Sequence, residues 1–135
     1  MKKLFSIKYS DNGITFATFL LRLALGGLII PHGYSKLIAF ASKSSTFSDP
    51  FHIGHPTSMA LVIFAEFFCG VFVLLGLFTR LACIPLIITM AVVVFYVHKG
   101  DFFGDAEKPA LFLFGYLALL FTGPGKISMD RLIGK

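Results

Sequence analysis

Six side chains in this 135-residue chain carry acid–base chemistry into or beside apolar runs: Arg22, His32, Lys36, Glu66, His98 and Glu107. Imidazole exchanges protons near neutral pH, a carboxylate accepts them, and Lys and Arg donate hydrogen bonds or neutralise negative charge. The stretch LLRLALGGLIIPHGYSKL, residues 20–37, holds three of these groups on what is otherwise hydrocarbon. Glu66 lies in FAEFFCG, residues 64–70, which is equally apolar. Ionisable groups in such runs are costly in a bilayer and turn toward a protein interior, which makes them candidates for function.

The elements that must position them are long apolar helices. Hydrophobic residues make up 56% of the chain and charged residues 14%, with seventeen Phe and no Trp. A soluble domain has roughly 45–50% and 25%. The apolar blocks match the roughly 17–25 helical residues that cross a hydrocarbon layer. Composition and blocks together predict a single-domain (1–135), all-α, polytopic membrane four-helix bundle. The expected spans are 14–40, 58–78, 81–97 and 105–122, with a tight turn at Thr79–Arg80. Arg22 and the length of the first apolar region argue against a cleaved signal peptide.

Lys2, Lys3, Lys8, Arg80, Lys126, Arg131 and Lys135 fall on one side of this topology, and Lys36, Lys43, Lys99 and Lys108 on the other. The excess of basic residues marks the cytoplasmic side, so both termini are expected there. The net charge of +5 is spread over ends and loops, which speaks against a nucleic-acid partner. Cys69 and Cys83 form no CxxC pair and read as small packing residues.

At 100° per residue, Arg22, Gly26, Ile29, Gly33 and Lys36 share one stripe of the first span, and Val62, Glu66, Gly70, Val73 and Leu77 share one of the second. Small residues beside charges permit close helix approach. Counting from the span ends puts Arg22 and Glu66 within ~6–8 Å of one level, so a structural ion pair between them is expected. Snorkelling of Arg22 with a protonated Glu66 is the alternative. His32, Lys36, His98 and Glu107 fall in one layer near the outer surface, either as a ligand site or as solvated interfacial groups. Their rim position argues against axial haem ligation by His32 and His98. His52 and His55 in HIGH lack a third ligand, so no metal site is expected.

The order and spacing of LLRLALG…PHGYSKL, AEFFCGVFVLLGLFTRLA, HKGDFF and LFTGPGKISMDRL resemble the DoxX family of small four-helix bacterial membrane proteins, over about Phe16 to Leu132. The family pattern falls here on Arg22, His32, Gly33, Lys36, Glu66, Gly70, Gly76, Thr79, Arg80, His98, Gly123, Pro124, Gly125, Ser128 and Asp130. The resemblance implies a multi-pass protein of the bacterial inner (plasma) membrane linked to redox complexes.

The expected function is binding of a quinone or quinol-like lipid near the outer leaflet, as part of a membrane oxidoreductase complex. His32, Lys36 and His98 would donate hydrogen bonds, and Glu66 or Glu107 would accept a proton. With no haem, flavin or iron–sulfur motif and no intrinsic cofactor expected, a redox partner protein or the quinone itself would supply electrons. The alternative is a non-enzymatic adaptor that recruits or stabilises another membrane protein. A second copy of the chain stays open as a partner.

Overall fold

The computed structural model describes residues 2–134, with side chains from Leu4 onward. Of the charges counted above, Lys135 and the side chains of Lys2 and Lys3 lie outside the described residues. The described residues contain helices and no strand. Four helices carry the fold: α1 (Asp11–Ile38), α2 (His55–Leu75), α3 (Thr79–Val97) and α4 (Glu107–Thr122). A short α5 (Met129–Leu132) closes the chain, and single turns at Phe40–Lys43 and Ser44–Thr46 lead into the long α1–α2 loop.

Local chemistry sets the ends. The Ser10 hydroxyl accepts from the Gly13 N–H at 3.0 Å, and Asp11 adds negative charge to the first turn, so α1 starts upstream of the apolar run. α2 ends where Gly76 takes a left-handed conformation, φ 71°. The tight link is therefore Gly76–Phe78, and Thr79, expected in the turn, is the first residue of α3. Pro109 lies in the first turn of α4, where its missing N–H costs no helical bond.

α1, α2 and α3 are each long and apolar enough to cross a membrane. α4 has 16 residues, ~24 Å of helix, and packs chiefly against α3 with a smaller contact to α1. The interior is apolar, with Val73, Cys83, Leu86, Val94 and Leu119 fully buried. The outer faces are apolar too: Leu20, Leu28, Phe64, Leu81, Leu111 and Phe114 are exposed. Helices that are hydrophobic all round belong in lipid.

α1 and α2 approach each other closely. A Cβ added to Gly26 would come 2.7 Å from the Leu74 nitrogen, and one on Gly33 2.5 Å from the Phe67 nitrogen. The two backbones touch at both levels, which fixes the antiparallel register. Across the bundle, the buried Tyr116 hydroxyl donates to the Leu25 carbonyl at 2.8 Å and ties α4 to α1.

Candidate functional site

Glu66 is 4% exposed, in the middle of α2, and its carboxylate accepts a hydrogen bond from the Lys36 ammonium. Gly33 makes this pair geometrically available. With no side chain there, α1 lies against the Glu66–Phe67 peptide, and Lys36 follows one turn later on the same face. The backbone at Glu66 is a π-helical stretch, Phe64–Cys69. Such widened turns shift side chains out of the regular α-helical order and recur at functional sites. Buried ion pairs are held by geometry and hydrogen bonding rather than by favourable desolvation, so this one calls for a purpose beyond stability.

The pair borders two cavities. The first, ≈ 360 Å³, runs between α2 and α3 and is walled by Phe47, Phe51, Leu61, Val62, Ile88 and Val92, with Lys36 and Glu66 among its few polar groups. Leu61 and Ile88 are exposed on the bundle's flank, so this cavity reaches the lipid side. The second, ≈ 150 Å³, brings Lys36 and Glu66 together with His32, Lys108 and Phe112. His32 meets Phe112 edge-on, ring centroids 6.5 Å apart. Three nitrogen bases and one carboxylate thus line one small cavity that is open to the outside, with Lys108 exposed at its edge.

The α1–α2 loop covers the first cavity. Asp49 anchors it: its carboxylate accepts from the Ile53 N–H at 3.0 Å, the Gly54 N–H at 2.9 Å and the Ser58 hydroxyl at 2.8 Å. Desolvation works against the charged carboxylate, but these three donors outweigh it, and the Asp49 pKa falls below the usual carboxylate value. His55 Nδ1 hydrogen-bonds the Phe47 carbonyl and holds the other end of the loop.

The expected Arg22–Glu66 pair does not form. The glycine contacts place Glu66 level with Gly33, while Arg22 lies ~16 Å away along α1, at the end of α2. There its guanidinium donates to the carbonyls of Val73 at 3.1 Å, Leu74 at 3.1 Å, Pro124 at 2.9 Å and Ile127. The first two are carbonyls of the last turn of α2, where a cation complements the helix dipole. Counting from span ends misjudged the register because the helix ends are not level: α2 ends beside Arg22, and the first turns of α1, from Asp11 on, extend beyond it. Snorkelling is overturned as well, since Arg22 is 3% exposed.

His98 and Glu107 are also corrected. Neither lines the cavities beside Lys36 and Glu66. His98 caps the end of α3, and Glu107 is exposed in the first turn of α4. Sharing a depth does not make residues share an interior face. Among the described residues no three His, Cys, Asp or Glu side chains gather into a metal-binding group. Cys69 and Cys83 are free, buried thiols.

Sequence reasoning missed Lys108 at the site, having counted it only as an outer charge. Its signal was the stripe Lys108, Phe112, Tyr116, Leu119, at helical spacing, whose last three members are buried. Asp130 was named only through the family pattern. Its carboxylate accepts from the Phe78 N–H at 2.7 Å and the Thr79 N–H at 3.0 Å, capping α3 from the far end of the chain. Nothing local in sequence announces a cap supplied from 51 residues away.

Apolar helix exteriors, a close-packed interior and a buried ion pair beside a lipid-facing cavity define a small multi-pass helical membrane protein. The DoxX family model matches residues 17–99, and the chain belongs to that family, as the sequence motifs led us to expect. It is 31% identical over 140 residues to "Inner membrane protein YphA" of Escherichia coli (strain K12), covering 93% of this chain and 98% of that one. It is 34% identical over 127 residues to "Putative oxidoreductase CatD" of Bacillus subtilis (strain 168), covering 93% and 92%. A third relative, "Inner membrane protein YqjF" of Escherichia coli (strain K12), is 29% identical over 135 residues, covering 95% and 97%. The protein is accordingly a multi-pass protein of the inner membrane. No solved structure matches it significantly.

Proposed function

We propose that this protein binds a quinone or quinol-like lipid in the α2–α3 cavity and works within a membrane oxidoreductase complex. The observation that carries this reading is the Lys36–Glu66 pair at the edge of an apolar cavity that reaches the lipid side between Leu61 and Ile88. Ligand pockets of this type are mostly apolar, with a few polar groups to orient the ligand. A quinone, when bound, takes up or releases two electrons and two protons at its carbonyl oxygens.

This chain's residues would do the rest. The Lys36 ammonium is a three-donor group beside the pocket and can hydrogen-bond a carbonyl oxygen. Glu66 is a buried carboxylate able to accept or return a proton. Phe47 and Phe51, on the loop pinned by Asp49, cover the cavity and exclude water. In this reading the end of the bundle with Lys36 and Glu66 faces the outer leaflet, as expected from the basic-residue asymmetry. Electrons would come from a partner protein, and the relative that bears the name "Putative oxidoreductase CatD" supports the redox setting.

The test is titration of the purified, detergent-solubilised protein with decylubiquinone, beside an assay of co-purifying quinone. Glu66→Gln and Lys36→Met should each weaken binding about tenfold, the loss of one charge-assisted hydrogen bond. Unchanged affinity in both variants, with no quinone in the purified protein, would sink the proposal. Recovery of a stable quinone-independent complex with another membrane protein would then favour an adaptor.

A further inference from the structure

A further groove opens between α1 and α4 and shares His32, Lys108 and Phe112 with the small cavity beside Lys36 and Glu66. It has a volume of ≈ 330 Å³ and is lined by Ala24, Leu25, Leu28, Leu111 and Phe112, with His32 and Lys108 at one end. Leu28 is 63% exposed and Leu111 70%, so the groove is open sideways to the hydrocarbon. Its polarity changes along its length, from purely aliphatic to basic. The basic end coincides with the first turn of α4. Among the described residues, no carboxylate lies within ion-pair distance of Lys108. Glu107, its neighbour in sequence, is turned ~100° around the helix and does not line the groove.

From this we propose that the α1–α4 groove is a binding site for an acidic membrane phospholipid. An acyl chain would lie along Leu28 and Leu111, and the headgroup phosphate would meet the Lys108 ammonium and a ring N–H of His32. Charge complementarity selects this occupant. A zwitterionic lipid would fill the apolar part equally well and offers the same phosphate, but its own choline or ethanolamine cation offsets that charge and repels Lys108, whereas an acidic lipid brings net negative charge. An ordinary interfacial lysine anchors to any headgroup. Lys108 differs in standing at the head of a groove, beside a second nitrogen donor. The proposal stands without the quinone reading, which concerns the cavity between α2 and α3.

The experiment is lipid retention by native mass spectrometry on the full chain, delipidated in detergent and titrated with phosphatidylglycerol or phosphatidylcholine. One well-placed basic residue gives about a fivefold preference for the acidic lipid. The wild type should show it, Lys108→Gln should abolish it, and Lys108→Arg should restore it, which separates lost charge from lost folding. Lys126→Gln, beyond the opposite end of α4, should leave it intact. Equal retention of the two lipids, a preference that survives Lys108→Gln, or one that disappears with Lys126→Gln would each overturn the assignment.

Discussion

Gly33 and Phe67 meet backbone to backbone: a Cβ on Gly33 would lie 2.5 Å from the Phe67 nitrogen. This contact sets the level at which α1 and α2 cross, and so which charged side chains can meet. Gly33→Ala must push the helices apart, and overpacking of this kind costs about 1–3 kcal/mol. We expect a lower midpoint of thermal unfolding in detergent. The same variant should weaken decylubiquinone binding, because Lys36 is carried on the displaced helix.

Removing Lys36 leaves the Glu66 carboxylate buried without its ion-pair partner. Breaking a buried pair from one side costs about 3–5 kcal/mol, and partial solvent access at Lys36 reduces this to about 2 kcal/mol. Lys36→Met should therefore be destabilised by chemical unfolding, and Lys36→Met/Glu66→Gln should regain most of the loss. A double variant as unstable as the single one would show that Lys36 contributes through packing instead.

Arg22 joins α1 to the end of α2 and to the segment after α4 through four carbonyl oxygens. Lysine keeps the charge but has no planar fork to reach them all. Arg22→Lys should lose about 2–4 kcal/mol, since buried carbonyls are left without donors. Limited proteolysis should then cut the C-terminal segment around Lys126 and Arg131 faster than in the wild type.

Asp130 supplies the cap that α3 lacks locally. Asp130→Ala should cost about 1–2 kcal/mol, the usual effect of losing a helix N-cap. Asp130→Asn keeps one acceptor oxygen and should fall between that variant and the wild type in the same unfolding series.

Asp49 gives the loop over the α2–α3 cavity a pH dependence. Its pKa in the fold is lowered, mainly because the Ser58 hydroxyl and the N–H groups of Gly54 and Ile53 overcome desolvation. The folded loop thus binds the proton less readily than the unfolded chain, whose Asp pKa is ~3.9. The stabilisation is complete above that value and disappears as pH falls through the lowered one. Protection of the Ile53 and Gly54 amides, taken relative to their intrinsic exchange rates, should fall in that acidic window, and Asp49→Asn should remove this pH dependence.

The membrane class, the helical architecture and the family were legible in the sequence because hydrocarbon burial depends on composition and run length, which one chain displays directly. The stripe Arg22, Gly26, Ile29, Gly33 was legible as well, since helical periodicity is a property of a single segment, and all four residues are buried. Partner choice was not. Whether Glu66 meets Arg22 or Lys36 depends on sliding one helix past another, and a shift of three turns changes every cross-helix neighbour. That shift is decided by two glycines against the backbone of α2, by a π turn at Glu66 and by carbonyls at a helix end. The sequence alone determined that charges would be buried among apolar helices; tertiary packing decided that Arg22 closes one end of the bundle and Lys36, with Glu66, borders a cavity at the other.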